Sequence, residues 1–409
     1  MKVLIWTQYF WPENFHINAV ARSLHEQGIE VTILTGKPNY PEGEIFEGYK
    51  ATGIQKEDYS GFEVIRIPLR QRGKNSGKGM ALNYLSFIVS GYLFAPFALR
   101  GKKFDVVFVY APSPLLQTLP AIYLAWLKRA PLVLWVQDIW PDALVATGFV
   151  KNKWILGSIE IAVRYIYHFT DCILIQSEAF RSSLVSRVNK VDKIRYFPNS
   201  AECKSILLPI AQVPDISNVI SQSFSVVFTG NIGTVQSCET IIAAAKQLQH
   251  IGNLMFYLVG DGSMVDDIKR SIEVSGLENI VMTGRVPTED MSSIYESASV
   301  LLLSLKDNAV TAITIPNKLQ GYLSSGKPII VSSNGESAKV LIKANAGLTC
   351  PAEDANALAN AVLMLYEMSP EERDLLGSNG LKYFEKHYNL QNRVVELIAL
   401  FKDIVSRKN

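Results

Sequence analysis

The sequence has few cysteines, and none of them are placed to pair. Cys172, Cys203, Cys238 and Cys350 lie far apart with no CxxC between them. That excludes a disulfide-built scaffold and a thiolate metal knuckle, and it suits reduced thiols buried in a core. The five histidines are scattered without an HExxH pattern, so no zinc site is expected. No DxD-type acidic pair closes a strand, so no divalent metal is expected either. Charged residues make up only 19% against 48% hydrophobic, which excludes a disordered chain. The opening "MKVLIWTQYF" loses its apolar character at Thr7 and Gln8, too early for a secretory leader, and a cytosolic chain is expected.

Long apolar runs are also scarce. The one that stands out, "ALNYLSFIVSGYLFAPFAL", is broken by Asn83, Ser86, Ser90 and Pro96 and is marginal in length for a span. A buried domain helix, an interfacial helix and a span all stay open. Its surroundings are one-sided in charge: Arg66 to Lys103 holds eight basic residues and no acidic one. Residues 1–200 carry 23 Lys+Arg against 16 Asp+Glu, or +7, and the remainder carries −5. The aromatic–basic interleaving of a nucleic-acid binder is missing. An anionic membrane surface, met through Arg66–Lys103 at the inner face of the cell membrane, is the expected partner of this patch.

What is present is an alternation of buried strands and amphipathic helices. "KVLIW", "IEVTILT", "FDVVFVY", "APLVLWVQ" and "DCILIQ" read as strands separated by helical patterns. The plan restarts with "FSVVFTG", "NLMFYLVG", "ENIVMTG" and "ASVLLLSL". With 409 residues this predicts an α/β chain of two doubly wound, Rossmann-like domains with a cleft between them. The expected division is 1–205, a proline-marked linker 206–223, a second domain 224–388, and a final helix 389–409 able to cross back onto the first.

"GYLSSGKP" approaches a phosphate-binding P-loop but has Pro328 where a hydroxyl residue belongs. Its order is also inverted: a helix precedes it, Gly326 stands at the C-cap position, and the strand "IIVSS" follows. The ligand-facing end of that helix is therefore its start, at Pro316, Asn317 and Lys318. Three strand ends carry glycine: Gly230-Asn231-Ile232-Gly233, Gly260-Asp261-Gly262 and Gly284-Arg285. Side by side they suggest a nucleotide-sized crevice with backbone N–H groups offered to anions. In the first half, Gln137-Asp138 follows a buried strand, Glu13 and His16 follow the first strand, and Tyr40 sits in a loop suited to stacking on a sugar.

"GIEVTILTGKPNYPEGEIFEGY", "VQDIWPDALVATGF", "FTGNIG" and "IPNKLQGYLSSGKP" resemble GT-B-fold glycosyltransferases of family 4 along essentially the whole chain. The branch is that of O-antigen and colanic-acid enzymes, notably N-acetyl-L-fucosamine transferases. The resemblance implies a nucleotide-sugar donor, UDP-linked by preference, bound mainly by the C-terminal half. It also implies a polyprenyl-diphosphate-linked saccharide acceptor held mainly by the N-terminal half, no metal or other cofactor, and retention of configuration. On that footing Lys318 neutralises the leaving diphosphate and Asp138 handles the acceptor hydroxyl. Gly230, Asn231, Gly233, Gly260, Arg285, Pro316 and Asn317 line the donor, and Glu13, His16, Tyr40 and Gln137 face the acceptor. The chain departs from the family in three places: Ile313 and Gly321 stand where a Glu-x7-Glu pair is usual, "GTVQSCE" has no cation, and Gln137 replaces a histidine. Two rival readings are a nucleotide-sugar epimerase on the same plan and a non-catalytic, membrane-docked partner of an assembly complex.

Overall fold

Apolar runs flanked by helices become the central strands of two open sheets. The computed structural model describes residues 1–73, 77–146, 150–202, 215–287 and 290–408. Two units emerge: Met1–Asn199 with Leu390–Asn409, and Ser200–Asn389.

The first unit holds eight strands: β1 (Lys2–Trp6), β2 (Glu30–Thr35), β3 (Gln55–Tyr59), β4 (Phe62–Arg66), β5 (Val106–Ala111), β6 (Leu132–Val136), β7 (Cys172–Ile175) and β8 (Ile194–Tyr196). Their order is β3-β4-β2-β1-β5-β6-β7-β8. All pairs are parallel except β3–β4, an antiparallel hairpin at the edge that the parallel-sheet expectation lacks. Its cause is local: Ser60 and Gly61 both take positive φ, the backbone of a tight hairpin turn. β1, β5 and β6 are buried on both faces, which explains their near-continuous Val, Leu and Ile.

The final helix, Leu390–Lys408, belongs to this first unit. Leu390, Val394, Leu397 and Phe401 enter the same core as Val3, Ile17 and Phe108. Its start is also tied by the Ser23 hydroxyl donating to Gln391 at 3.0 Å.

The second unit holds β9 (Phe224–Thr229), β10 (Leu254–Val259), β11 (Ile280–Gly284), β12 (Val300–Ser304), β13 (Ile329–Ser332) and β14 (Gly347–Cys350). The sheet is parallel throughout, in the order β11-β10-β9-β12-β13-β14. The order reverses beside β9, the place where open α/β sheets take ligands.

The boundaries differ from those read in the sequence. Ser200 and Ala201 already join the second unit, with the Ala201 amide donating to Tyr388 at 2.9 Å. Residues 206–214 of the expected linker lie outside the described residues. From Asp215 the stretch is a helix, Asp215–Ser221, with Ile220 buried in the second unit's core beside Ile216. The spacing of those two isoleucines, four apart, gives this helix its apolar side.

Arg66 also corrects the sequence reading. It is not a surface cation but wholly buried, with its Nε 2.5 Å from Glu57. Its other nitrogens donate to the Gly36 carbonyl at 3.1 Å and to the Trp11 carbonyl. Lys102 pairs with Glu63 at 2.7 Å. The apolar run becomes a helix, Gly77–Ala98, long and apolar enough to cross a membrane but packed along one side against the helix Thr118–Lys128, with Phe87 5.8 Å from Trp6 of β1.

Candidate functional site

In the second unit the three glycine-bearing strand ends stand in a row. The Gly230 amide donates to Val259 at 2.8 Å and the Gly260 amide to Gly284 at 2.9 Å. Gly230 has φ +111 and Gly260 φ +155, where side chains are strained. A Cβ on Gly260 would also overlap the Gly230 carbonyl, and one on Gly230 would meet the Lys318 ammonium at 3.2 Å. These glycines therefore let neighbouring backbones and a buried cation approach each other. Their N–H groups are not offered to a ligand, as the sequence reading expected. The Ile232 amide goes to Asp261, the Gly233 amide to Gln236 and the Gly262 amide to the Asp261 carboxylate.

Above this floor lies a cavity of about 690 Å³ whose walls include Gly230, Asn231, Gly260, Arg285, Tyr295 and Lys318. Lys318 belongs to the helix Asn317–Ser324, which is followed by Gly326 in the left-handed region and then by β13. "GKP" is accordingly a helix-to-strand turn. One turn after Lys318, on the same helix face, the Tyr322 hydroxyl accepts from the Thr229 amide at 3.0 Å and donates to Leu302 at 3.3 Å. This fastens the helix to the end of β9 and the middle of β12.

The Lys318 ammonium sits 4.2 Å from the centre of the Phe228 ring. Although buried, it has no hydrogen-bond partner among the described residues. Burial pulls its pKa down to about 8, opposed by the nearby Cys238 thiol. A desolvated cation at a cavity, with no ion pair among the described residues, is poised for an anion. Lys327, at the other end of the helix, is pulled down by burial and held up by Asp374 and Glu296. It is absent from the cavity walls.

Of the other residues assigned to the donor, Gly230, Asn231, Gly260 and Arg285 line the cavity, whereas Gly233, Pro316 and Asn317 are not among its lining residues. Gly233 lies one step past the strand-end turn, and Asn317 is exposed at the helix start. Tyr295 was not foreseen. Its ring lies 3.3 Å from where a Cβ on Gly321 would stand and meets Tyr322 edge-on at 5.4 Å. The signal was indirect: a glycine at 321 leaves room for a ring from a neighbouring helix.

In the first unit, Glu13 is buried and its carboxylate accepts from the amides of Phe10 (3.2 Å), Asn39 (2.9 Å) and Tyr40 (2.8 Å). Burial outweighs those bonds and raises its pKa to about 7. Glu13 is thus a tie that sets the Tyr40 loop rather than an open acceptor contact. Tyr40 is 38% exposed, stands 5.7 Å from Tyr9 and 5.3 Å from Phe15, and carries the Arg72 guanidinium over its ring at 5.4 Å. His16 packs edge-on against Trp135 at 5.5 Å, and burial lowers its pKa to about 4, leaving a neutral ring.

Asp138 stands two residues past the end of β6. Burial raises its pKa to about 6, and its charge reaches Tyr84 and Tyr110. The Gln137 carbonyl accepts from Gln176 at 3.0 Å while its own buried Nε2 has no partner among the described residues. Tyr9, Arg72, Tyr84 and Tyr110 escaped the sequence reading because they come from four separate segments.

Residues 14–200 match the model of the glycosyl transferase 4-like domain, and residues 223–368 match that of glycosyl transferases group 1. The chain is 24% identical over 334 residues to the probable glycosyltransferase WbjE of Pseudomonas aeruginosa, covering 78% of this chain and 81% of that one. It is 25% identical over 345 residues to the putative colanic acid biosynthesis glycosyl transferase WcaI of Escherichia coli K12, covering 81% and 83%. Among solved structures, Anabaena Alr3699/HepE in complex with UDP superposes with a TM-score of 0.70 at 12% identity, covering 98% of this chain and 100% of that one. With both units matched and the fold shared end to end, this chain belongs to the GT-B glycosyltransferases of the group 1, family-4-like type.

Proposed function

We propose that the chain transfers a sugar from a nucleotide-sugar donor to a polyprenyl-diphosphate-linked saccharide at the inner face of the cell membrane, as a step in building a surface polysaccharide such as O-antigen. The observation that carries this reading is Lys318, a buried cation with no hydrogen-bond partner among the described residues, at a cavity beside the reversal point of the second sheet. The name of WcaI favours a surface polysaccharide, and the UDP held by HepE favours a UDP-linked donor. The sugar suggested by the sequence resemblance is a 6-deoxyhexosamine, N-acetyl-L-fucosamine first.

Lys318 and Arg285 take the donor diphosphate, with the helix start at Pro316 and Asn317 adding its partial positive charge. No metal is required, because the buried ammonium supplies the charge stabilisation that the leaving nucleotide needs. Tyr295 faces the donor from the place where a family-4 glutamate usually stands. On the acceptor side the Asp138 carboxylate orients the attacking hydroxyl, within a wall built from Gln137, His16 and the Tyr40 loop set by Glu13. The acceptor oxygen bonds to the anomeric carbon as the carbon–phosphate-oxygen bond breaks. The hydroxyl proton passes to the departing phosphate, and the configuration is retained.

The test is incubation of the purified protein in EDTA with a panel of nucleotide sugars and a synthetic diphospho-lipid saccharide, read by mass spectrometry. The expected product is the acceptor extended by one sugar. Donor binding without transfer across the panel would favour the non-catalytic partner, and activity restored only by a divalent metal would remove Lys318 from its role.

A further inference from the structure

The helix Gly77–Ala98 is as apolar on its outer side as on its buried one. Its buried side carries Asn83, Ser90 and Gly91 beside Phe87, Ala95 and Ala98, while its outer side shows Leu82, Leu85, Val89, Leu93 and Phe97. A surface helix ordinarily puts its apolar stripe on the core and its polar residues outward. Phe97 is 74% exposed.

Two neighbouring helices continue this surface. Thr118–Lys128 packs beside it, with Tyr92 and Tyr123 rings 5.9 Å apart, and presents Trp126, 73% exposed, and Leu127. Lys153–Phe169 follows, with Trp154 at 86%, Ile161 at 71%, and Tyr165 and Phe169 about half exposed. Scattered apolar side chains are normal on any surface, but one face built from three adjacent helices is not.

Charge indicates what covers it. The first two helices carry no acidic residue, and the third has only Glu160, which is paired with Arg164 and Arg187. Cations stand at the helix ends instead: Lys78, Arg100, Lys103, Arg129, Lys151 and Lys153 are all exposed. Where the second and third helices end, a cavity of about 830 Å³ opens between apolar Trp126, Leu127 and Phe169 and cationic Arg129, Lys193 and Lys408, the last paired with Asp171 at 3.4 Å. An apolar mouth whose rim keeps an excess of cations over the single Asp171 suits a lipid whose chains lie along the helices and whose phosphate meets Arg129 and Lys193. Tryptophan and tyrosine are also the side chains favoured at headgroup depth.

We infer that this three-helix flank of the first unit is a monotopic docking face that lies on an anionic phospholipid bilayer, with the cavity at its edge receiving an anionic headgroup. The inference rests on the membrane-linked acceptor proposed above and replaces the Arg66–Lys103 stretch with a surface from three segments. Tyr84, beside Asp138, lies on the same helix as Leu82 and Leu85, so a docked face holds the acceptor-side cluster next to the lipid.

The test uses the full chain and vesicles of phosphatidylcholine with or without about a third phosphatidylglycerol, read by flotation. The expected result is binding to the anionic vesicles, weakened by salt. The double variant Phe97→Glu/Trp126→Glu and, separately, Ile161→Glu should lose it. Arg100→Gln/Lys103→Gln/Arg129→Gln should weaken it by about a hundredfold. All these side chains are exposed, and circular dichroism confirms folding. No binding by the wild type, or unchanged binding by the glutamate variants, overturns the inference. So does a wild-type dimer that the glutamate variants dissociate without any vesicle binding, since a second copy would then cover the face. Calorimetry with UDP on the same preparations reports the second unit alone. Normal UDP binding with failed flotation therefore defeats the docking face and leaves the proposed function standing.

Discussion

Lys318 concentrates the site's electrostatics in one atom. Its ammonium is held near a pKa of about 8 because burial disfavours charge, and an incoming diphosphate would reverse that cost. The sign follows. Below pH 8 the free protein already carries the proton and UDP affinity should be nearly flat. Above pH 8 binding must take up a proton, so affinity should fall by roughly tenfold per pH unit. Calorimetry with UDP between pH 6.5 and 9.5 measures this slope, and Lys318→Met should bind weakly with the slope gone. The same slope in the variant would assign the titration elsewhere.

At the scale of the element, the helix Asn317–Ser324 gives direction to the site. Its start points Lys318 at the cavity, Tyr322 fastens it to β9 and β12, and its far end turns away at Gly326. The two lysines of "NKLQGYLSSGKP" should therefore behave differently. Lys318→Ala should slow transfer by about 10²–10³, as for one lost charge-stabilising group, and Lys327→Ala by less than about tenfold. Steady-state rates with circular dichroism decide it, and an essential Lys327 would reinstate the P-loop geometry. The order of the motif was legible in the sequence because a C-cap glycine and the proline after it mark a helix end by local sterics. Tyr295 was not, because its ring reaches Gly321 from a helix more than twenty residues away, and no local rule connects the two positions.

Over the whole chain, the first unit is assembled from both ends of the sequence. Phe401 is fully buried and meets Phe108 of β5 at 5.3 Å, beside Val3 and Ile17. Phe401→Ala should destabilise that unit by about 3–5 kcal/mol, the usual cost of an emptied aromatic core site. Urea unfolding should show the loss in the first unit, and UDP calorimetry should show the second unit's binding unchanged. Equal loss in both units would mean they unfold as one cooperative body.

Strand identity, the two doubly wound units, the helix-to-strand turn at Gly326 and the line of strand-end glycines were determined by the sequence itself. Each depends on backbone sterics or on hydrophobic period within a few residues, and such rules act locally. Tertiary structure decided what those residues do. The glycine amides expected to bind anions are spent on the neighbouring strand ends and loops, Glu13 is tied to three backbone amides, and Arg66 is sealed inside and paired with the partly exposed Glu57. The exposed flank likewise draws on three segments that no window of sequence contains together. A side chain's partners, and the burial that shifts its charge, are set by which segments the fold brings alongside, and that is a property of the packed chain.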